Sequence, residues 1–291
     1  MTGNVKTRTD ATKTLRKMVI PLAAAPDKPL ATCVFIAGVR GHPLAFRPVA
    51  RLIADRHASV GLLHPALAGD SRRLSSIGSV VDLMESAIEK RSVDGPIVFA
   101  GYSLGGAYAY ELARRVRASG QPAAALLIDT SIPKLRRKRW FRYIRGKALN
   151  WVEWFNGPIP ENARRPEIDR MVWEQRVLHR NTRPRRSDTP VGLILSRDGG
   201  LSEGHSFKND PDLGWSSVAP VVSNLACSGD HLGLFKPPFE TEFASHLETS
   251  LRALRSEAAK LSRRGEVAGT LAANDAAPDV RNGQLASGLG E

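Results

Sequence analysis

The chain has 291 residues, 42% of them apolar, and a formal net charge of +13. That apolar share builds a real core and excludes a disordered chain, and the length suits one large domain with tails or two small ones. No apolar run reaches the ~18 residues of a membrane span. The two cysteines, Cys33 and Cys227, lie in apolar runs, which points to buried thiols rather than a disulfide framework and to a cytoplasmic chain.

In chain order, residues 1–15 are polar and charged and read as a flexible arm. Met18 to Leu22 forms an edge strand, where Pro21 is tolerated. The same proline interrupts the short apolar run Met18–Ala25 and argues against a signal peptide. Ala31 to Ala37 is a continuous apolar run, the pattern of a strand covered on both faces. Gly38-Val39-Arg40-Gly41-His42-Pro43 breaks it. A helical stripe follows over Phe46 to Arg56, then a strand over Ser59 to Leu63 and a loop from His64-Pro65 to Gly69-Asp70. Ile77 to Lys90 is helical in period.

Pro96 to Ala100 is a strand that runs into Gly101-Tyr102-Ser103-Leu104-Gly105-Gly106, and a helical segment follows over Ala107 to Ala118. Strand, sharp turn and helix are the context that makes Gly-x-Ser-x-Gly a nucleophile elbow. The glycines two residues either side of Ser103 give room where a side chain would meet the neighbouring strand or helix. Gly120-Gln121-Pro122 stops the helix, and Ala123 to Ile128 is a strand ending in Asp129-Thr130-Ser131. The alternation of strand and helix predicts an α/β fold: a mostly parallel sheet with helices on both faces, and functional groups at the carboxyl ends of its strands.

Residues 131–187 depart from this pattern. They carry 16 lysines and arginines against five acids, a net +11 of the chain's +13, and four of the five tryptophans. The segment reads as helices inserted between two sheet strands, a lid. Val191 to Ser196 resumes the sheet and ends in Arg197-Asp198. Val221 to Ala226 is the last strand and ends in Cys227-Ser228-Gly229-Asp230-His231. A final helix places Phe239, Phe243, Leu247, Leu251 and Leu254 on one face, and residues 258–291 read as a disordered tail. The folded domain is therefore expected over 16–257, with the lid at about 131–187.

A serine hydroxyl needs a neighbouring base, and the base needs an orienting carboxylate. In this fold class the chain order is serine, acid, histidine. His231 follows a late strand and is the candidate base. His42 and His64 also sit at strand ends but precede the serine, whereas His57, His179 and His246 lie on helical stretches and read as surface. His205 is loop-borne. Two acids compete, Asp129 and Asp198, each at the end of a strand beyond the elbow. The oxyanion donors are expected to be the amides of Leu104, at a helix N-terminus, and Val39, in the loop after an earlier strand. There is no Gly-x-x-x-x-Gly-Lys, no His-Glu-x-x-His and no cysteine pair with metal spacing, so neither a metal nor a cofactor is expected.

Several motifs together resemble one family. They are Phe35-Ile36-Ala37-Gly38-Val39-Arg40-Gly41; the elbow with Ala109-Tyr110-Glu111-Leu112-Ala113; Leu126-Leu127-Ile128-Asp129 with Pro133; Gly214-Trp215; and Gly229-Asp230-His231. With these the sequence resembles the thioesterases of nonribosomal peptide and polyketide synthesis, within the α/β-hydrolase superfamily. The resemblance implies that Ser103 carries the acyl group and that His231 is the base. It favours Asp129 as the acid, as in members that release products from synthases, with Asp198 the alternative used by stand-alone editing members. It also implies a substrate carried on phosphopantetheine, on an acidic carrier protein in trans or on coenzyme A, which a basic lid would attract. Two rivals stand beside it. Trp140, Phe141, Tyr143, Trp151, Trp154 and Phe155, interleaved with cations, suit a carboxylester or lipid hydrolase at an anionic membrane surface. A hydrolase-like scaffold could also bind a partner without catalysis. Nucleic acid is not the expected partner of the leading reading.

Overall fold

The structure is a computed structural model and describes residues 14–275 apart from 40–41, 71, 73, 75, 90–94, 133–165 and 199–209. Its centre is a seven-stranded sheet. The strands are β1 (Val19–Pro21), β2 (Thr32–Ile36), β3 (Ala58–Leu62), β4 (Ile97–Tyr102), β5 (Ala123–Ile128), β6 (Val191–Ser196) and β7 (Val221–Cys227), in the spatial order β1-β3-β2-β4-β5-β6-β7. All neighbouring pairs are parallel except β1 with β3. The proline-bearing edge strand and the mostly parallel α/β sheet are as the apolar runs predict.

Alternation along the strands splits the core in two. Val34, Ile36, Phe99, Leu127 and Leu193 face one side, where α2 (Ile77–Glu89) and α3 (Gly105–Ala118) pack. Cys33, Phe35, Val98, Leu126 and Ile194 face the other, against α1 (Arg47–Leu52) and the last helix, α5 (Glu240–Asp275). A strand covered on both faces has no polar side to offer, and so β5 reads Ala-Ala-Ala-Leu-Leu-Ile, all buried. Between β5 and β6 lies α4 (Pro166–Asn181), whose Met171, Val172 and Gln175 are buried. This is the described part of the expected lid; most of the cationic, tryptophan-rich stretch lies outside the described residues. No helix among the described residues is long and apolar enough to cross a membrane.

Three expectations are corrected. The last helix does not stop at 257: its apolar stripe continues through Leu254 to the buried Ala258, and the helix runs to Asp275. Of the arm expected over 1–15, residues 1–13 lie outside the described residues, and 14–15 belong to a helical turn at 14–18 that leads into β1. His57 is no surface residue, because it lies just before β3 with its ring buried and Nε2 is 2.9 Å from Glu248 Oε2 on α5.

The elbow shows why its glycines are glycines. Strand β4 extends two residues past Ala100, and α3 begins two residues before Ala107. A Cβ at Gly101 would stand 2.4 Å from the Gly105 carbonyl oxygen, and one at Gly106 would stand 2.3 Å from Thr130 Oγ1. Backbone cannot move aside as a side-chain tip can. Gly101→Ala is therefore expected to destabilise the fold by about 3 kcal/mol, read as a lower urea midpoint at unchanged slope.

Candidate functional site

Ser103 sits between β4 and α3 with φ of 53°, in the left-handed region that a non-glycine residue enters only at a cost of ~1–2 kcal/mol. Two contacts hold it there. The Ser103 amide donates to the Ile128 carbonyl at 2.9 Å, and the Thr130 hydroxyl donates to the Ser103 carbonyl at 2.8 Å. Thr130 is fixed in turn by the buried Trp215, whose Nε1–H donates to the Thr130 carbonyl at 2.7 Å.

Asp129 directly follows β5 and also has positive φ, 48°. Aspartate enters this region more readily than most residues. The buried carboxylate accepts from the Ser196 amide at 3.2 Å and the Ser196 hydroxyl at 2.7 Å, both from the end of the adjacent β6. Its Oδ2 also lies 2.5 Å from His231 Nδ1, and His231 Nε2 lies 3.2 Å from Ser103 Oγ. With the imidazole neutral and its proton on Nδ1, Nδ1–H donates to Asp129 and Nε2 accepts from the serine. A serine, an imidazole and a buried carboxylate joined in that order can generate an alkoxide-like nucleophile.

The second candidate acid is placed elsewhere. The Asp198 carboxylate accepts the Gly229 amide at 2.9 Å, and the Asp198 amide donates to the Gly229 carbonyl at 3.1 Å. Through Gly229 it braces the loop that carries His231. The next residue in that loop, Asp230, accepts from the amides of Leu232 and Gly233 and closes the turn.

Of the expected donors, Leu104 follows the serine directly and Val39 follows Gly38, which packs against it. Leu104 precedes the first turn of α3, where backbone N–H groups have no partner within the helix. Val39 is half-buried in the turn after β2; its neighbours Arg40 and Gly41 are outside the described residues. Gly38 presses on the elbow, since a Cβ there would stand 3.0 Å from Ser103 Cβ.

The other histidines have duties of their own. His42 Nδ1 accepts the Leu44 amide at 3.2 Å and caps a 3₁₀ turn at Pro43–Phe46, and His64 Nδ1 accepts the Ala66 amide at 3.3 Å and caps another at Pro65–Ala68. His179 lies on α4 and His246 on α5, both half-buried, while His205 is outside the described residues. Neither cysteine competes as a nucleophile. Burial pushes the Cys227 thiol up to about 11 and Cys33 further still. Cys227, Glu242 and His246 bring possible metal-ligand atoms within 4.8 Å of one another, but the raised thiol opposes the thiolate a metal would need.

Sequence reasoning missed Ser196, Thr130 and Tyr102. Ser196 reaches Asp129 only through the β5–β6 register, which pairs Ile128 with Ile194, and no local pattern carries that. Tyr102, between glycine and serine in the elbow, stacks on the His231 ring at 4.8 Å, and its hydroxyl donates to the His231 carbonyl. Burial, helped by Asp129 and Asp230, pushes its phenol far above the ordinary range, so it stays a donor. Tyr102→Phe keeps the stack and frees that carbonyl. We expect kcat to fall about tenfold with KM little changed, the cost of one buried hydrogen bond, measured by steady-state thiol release.

Comparison with known proteins agrees with this architecture. Residues 34–147 match the thioesterase domain family. A non-reducing polyketide synthase, pks27, of Aspergillus flavus is 22% identical over 226 residues, covering 66% of this chain; the chain spans only 11% of that enzyme's length. The thioesterase domain of NocB from the nocardicin cluster has a similar fold, with a TM-score of 0.61 at 19% identity over 80% of this chain and 98% of that one. So does YbtT, a type II thioesterase of a yersiniabactin pathway, with a TM-score of 0.59 at 20% identity over 82% and 99%.

Proposed function

We propose that this chain, whose residues 34–147 match the thioesterase domain family, is a thioesterase that cleaves an acyl thioester through Ser103, His231 and Asp129 by way of an acyl-enzyme. The observation that carries this reading is the hydrogen-bonded sequence from Ser103 Oγ through His231 to Asp129. Ser103 Oγ attacks the thioester carbonyl carbon as its proton passes to His231 Nε2. The amides of Leu104 and Val39 receive the developing oxyanion. The C–S bond then breaks, and the imidazolium returns the proton to the sulfur, which leaves as a thiol. Water, deprotonated by His231, attacks the acyl-serine. A carboxylic acid departs and Ser103 regains its proton. Asp129 stays ionised throughout and holds the ring.

The substrate arm is phosphopantetheine, on a carrier protein acting in trans or on coenzyme A. Support comes from the net +11 of residues 131–187, which suits a phosphorylated or acidic partner. The test compares matched acyl groups as coenzyme A thioester, carrier-protein thioester, uncharged N-acetylcysteamine thioester and oxygen ester. The thioesters turn over faster than the ester. Raising salt from 50 to 500 mM lowers kcat/KM on the charged carriers roughly tenfold and scarcely affects the uncharged one. An ester preference, or an equal salt response for both thioester types, overturns the corresponding half.

A further inference from the structure

A second feature lies beside the elbow. A small cavity runs from Ala37 and Gly38, just after β2, toward α4, and His64, Met84, Tyr108 and Gln175 line it. Two polar atoms of its lining residues are buried and have no hydrogen-bond partner among the described residues, His64 Nε2 and Tyr108 Oη. Their rings lie 6.0 Å apart between centroids. An unpaired buried polar group costs about 1–3 kcal/mol, and two on one cavity mark a place where something else supplies the partner.

The chemistry of that partner can be read from the imidazole. Burial pushes His64 down to about 4, against a smaller opposing pull from Asp70, so the ring is neutral. Nδ1 accepts the Ala66 amide and therefore bears no proton. The proton is on Nε2, which faces the cavity as a donor. Tyr108 is kept protonated by its burial and adds a hydroxyl that can donate or accept. A donor and a hydroxyl call for an acceptor oxygen.

We propose that His64 and Tyr108 form a polar subsite for the acyl group, one that takes a carbonyl or hydroxyl oxygen on the chain and so favours oxygenated acyl groups over plain alkanoyl ones. This rests on Ser103 being the acylated residue. Gly38 borders both places: it lines the cavity, and a Cβ added there would stand 3.0 Å from Ser103 Cβ. The cavity holds about 10 Å³, the room of one water, so it takes the oxygen itself while the carbon chain that carries it stays outside.

The test uses alkyl fluorophosphonates of equal length, plain or with one oxo group walked along the chain, and reads second-order labelling of Ser103 by mass spectrometry. The serine oxygen bonds to phosphorus, fluoride leaves, and His231 takes the proton. At least one oxo probe should label several-fold faster than the plain probe. The oxo-to-plain ratio should fall about tenfold in Tyr108→Phe and in His64→Asn, which keeps a side-chain acceptor for the Ala66 amide. Because the ratio is internal to each variant, partial loss of fold cancels. Labelled Ser103 with a ratio near one in the wild type, or the same ratio in the variants, overturns the subsite and leaves an ordered water as the occupant. No labelling of Ser103 by any probe overturns the nucleophile itself, and the subsite with it.

Discussion

Replacing Ser103 with alanine should lower thioester turnover by about 10⁶, and His231→Ala should do nearly the same. The magnitude follows from their coupling. Without the imidazole, the hydroxyl holds its proton and is a weak nucleophile. Without the hydroxyl, the imidazole has nothing to activate. The double variant should therefore be scarcely worse than either single one, which is the mark of residues acting as a unit. Ser103→Ala should also keep its fold: it removes one oxygen, while the contacts that fix the elbow run through backbone and Thr130. Thiol release under single turnover measures the loss, and an unchanged urea midpoint shows that it is chemical. Residual turnover within a hundredfold of wild type would mean that another group attacks.

The second large effect separates the two acids. Asp129→Asn should cost about 10⁴ in kcat. The amide cannot balance an imidazolium, and its NH₂ competes for the place where Nδ1–H must donate. Ser196 would still donate to the remaining carbonyl, so the defect lies in the charge and the tautomer rather than in the packing. Asp198→Asn should cost less than tenfold, because an asparagine oxygen can still accept the Gly229 amide. A reversed order of these two losses would move the acid one strand along and leave Asp129 a structural role. The two variants need comparison at saturating substrate, so that a change in KM does not mask the difference.

These two expectations also show where sequence and structure divide. The elbow is legible because its demands are local: Gly101, Ser103 and Gly105 lie within five residues, and steric need for glycine leaves a mark in sequence. His231 is legible because the loop after a late strand is a recognisable place. The acid is not. Asp129 and Asp198 each lie just beyond a strand, and the resemblance could only lean toward the first. The lean becomes a geometry through the turn at Asp129, with its positive φ, and through Ser196 from the adjoining strand. Tyr102 is a similar case. Its position in the motif is fixed by sequence, yet its stacking on His231 depends on a loop 129 residues away. His57 and α5 show the reverse failure. Helical periodicity around them is real, but burial against Glu248 and at Ala258 is decided by what packs there.

The sequence by itself determined the strand–helix alternation, the buried character of the strands, the elbow at Ser103 and the shortlist of partners for it. Each of those depends on residue type and spacing over a few positions. The tertiary structure alone decided which carboxylate faces His231, which residues brace the pair, and that His64 and Tyr108 share a cavity beside the serine. Each of those depends on strand order and register, which bring together groups dozens of residues apart and which no local pattern encodes.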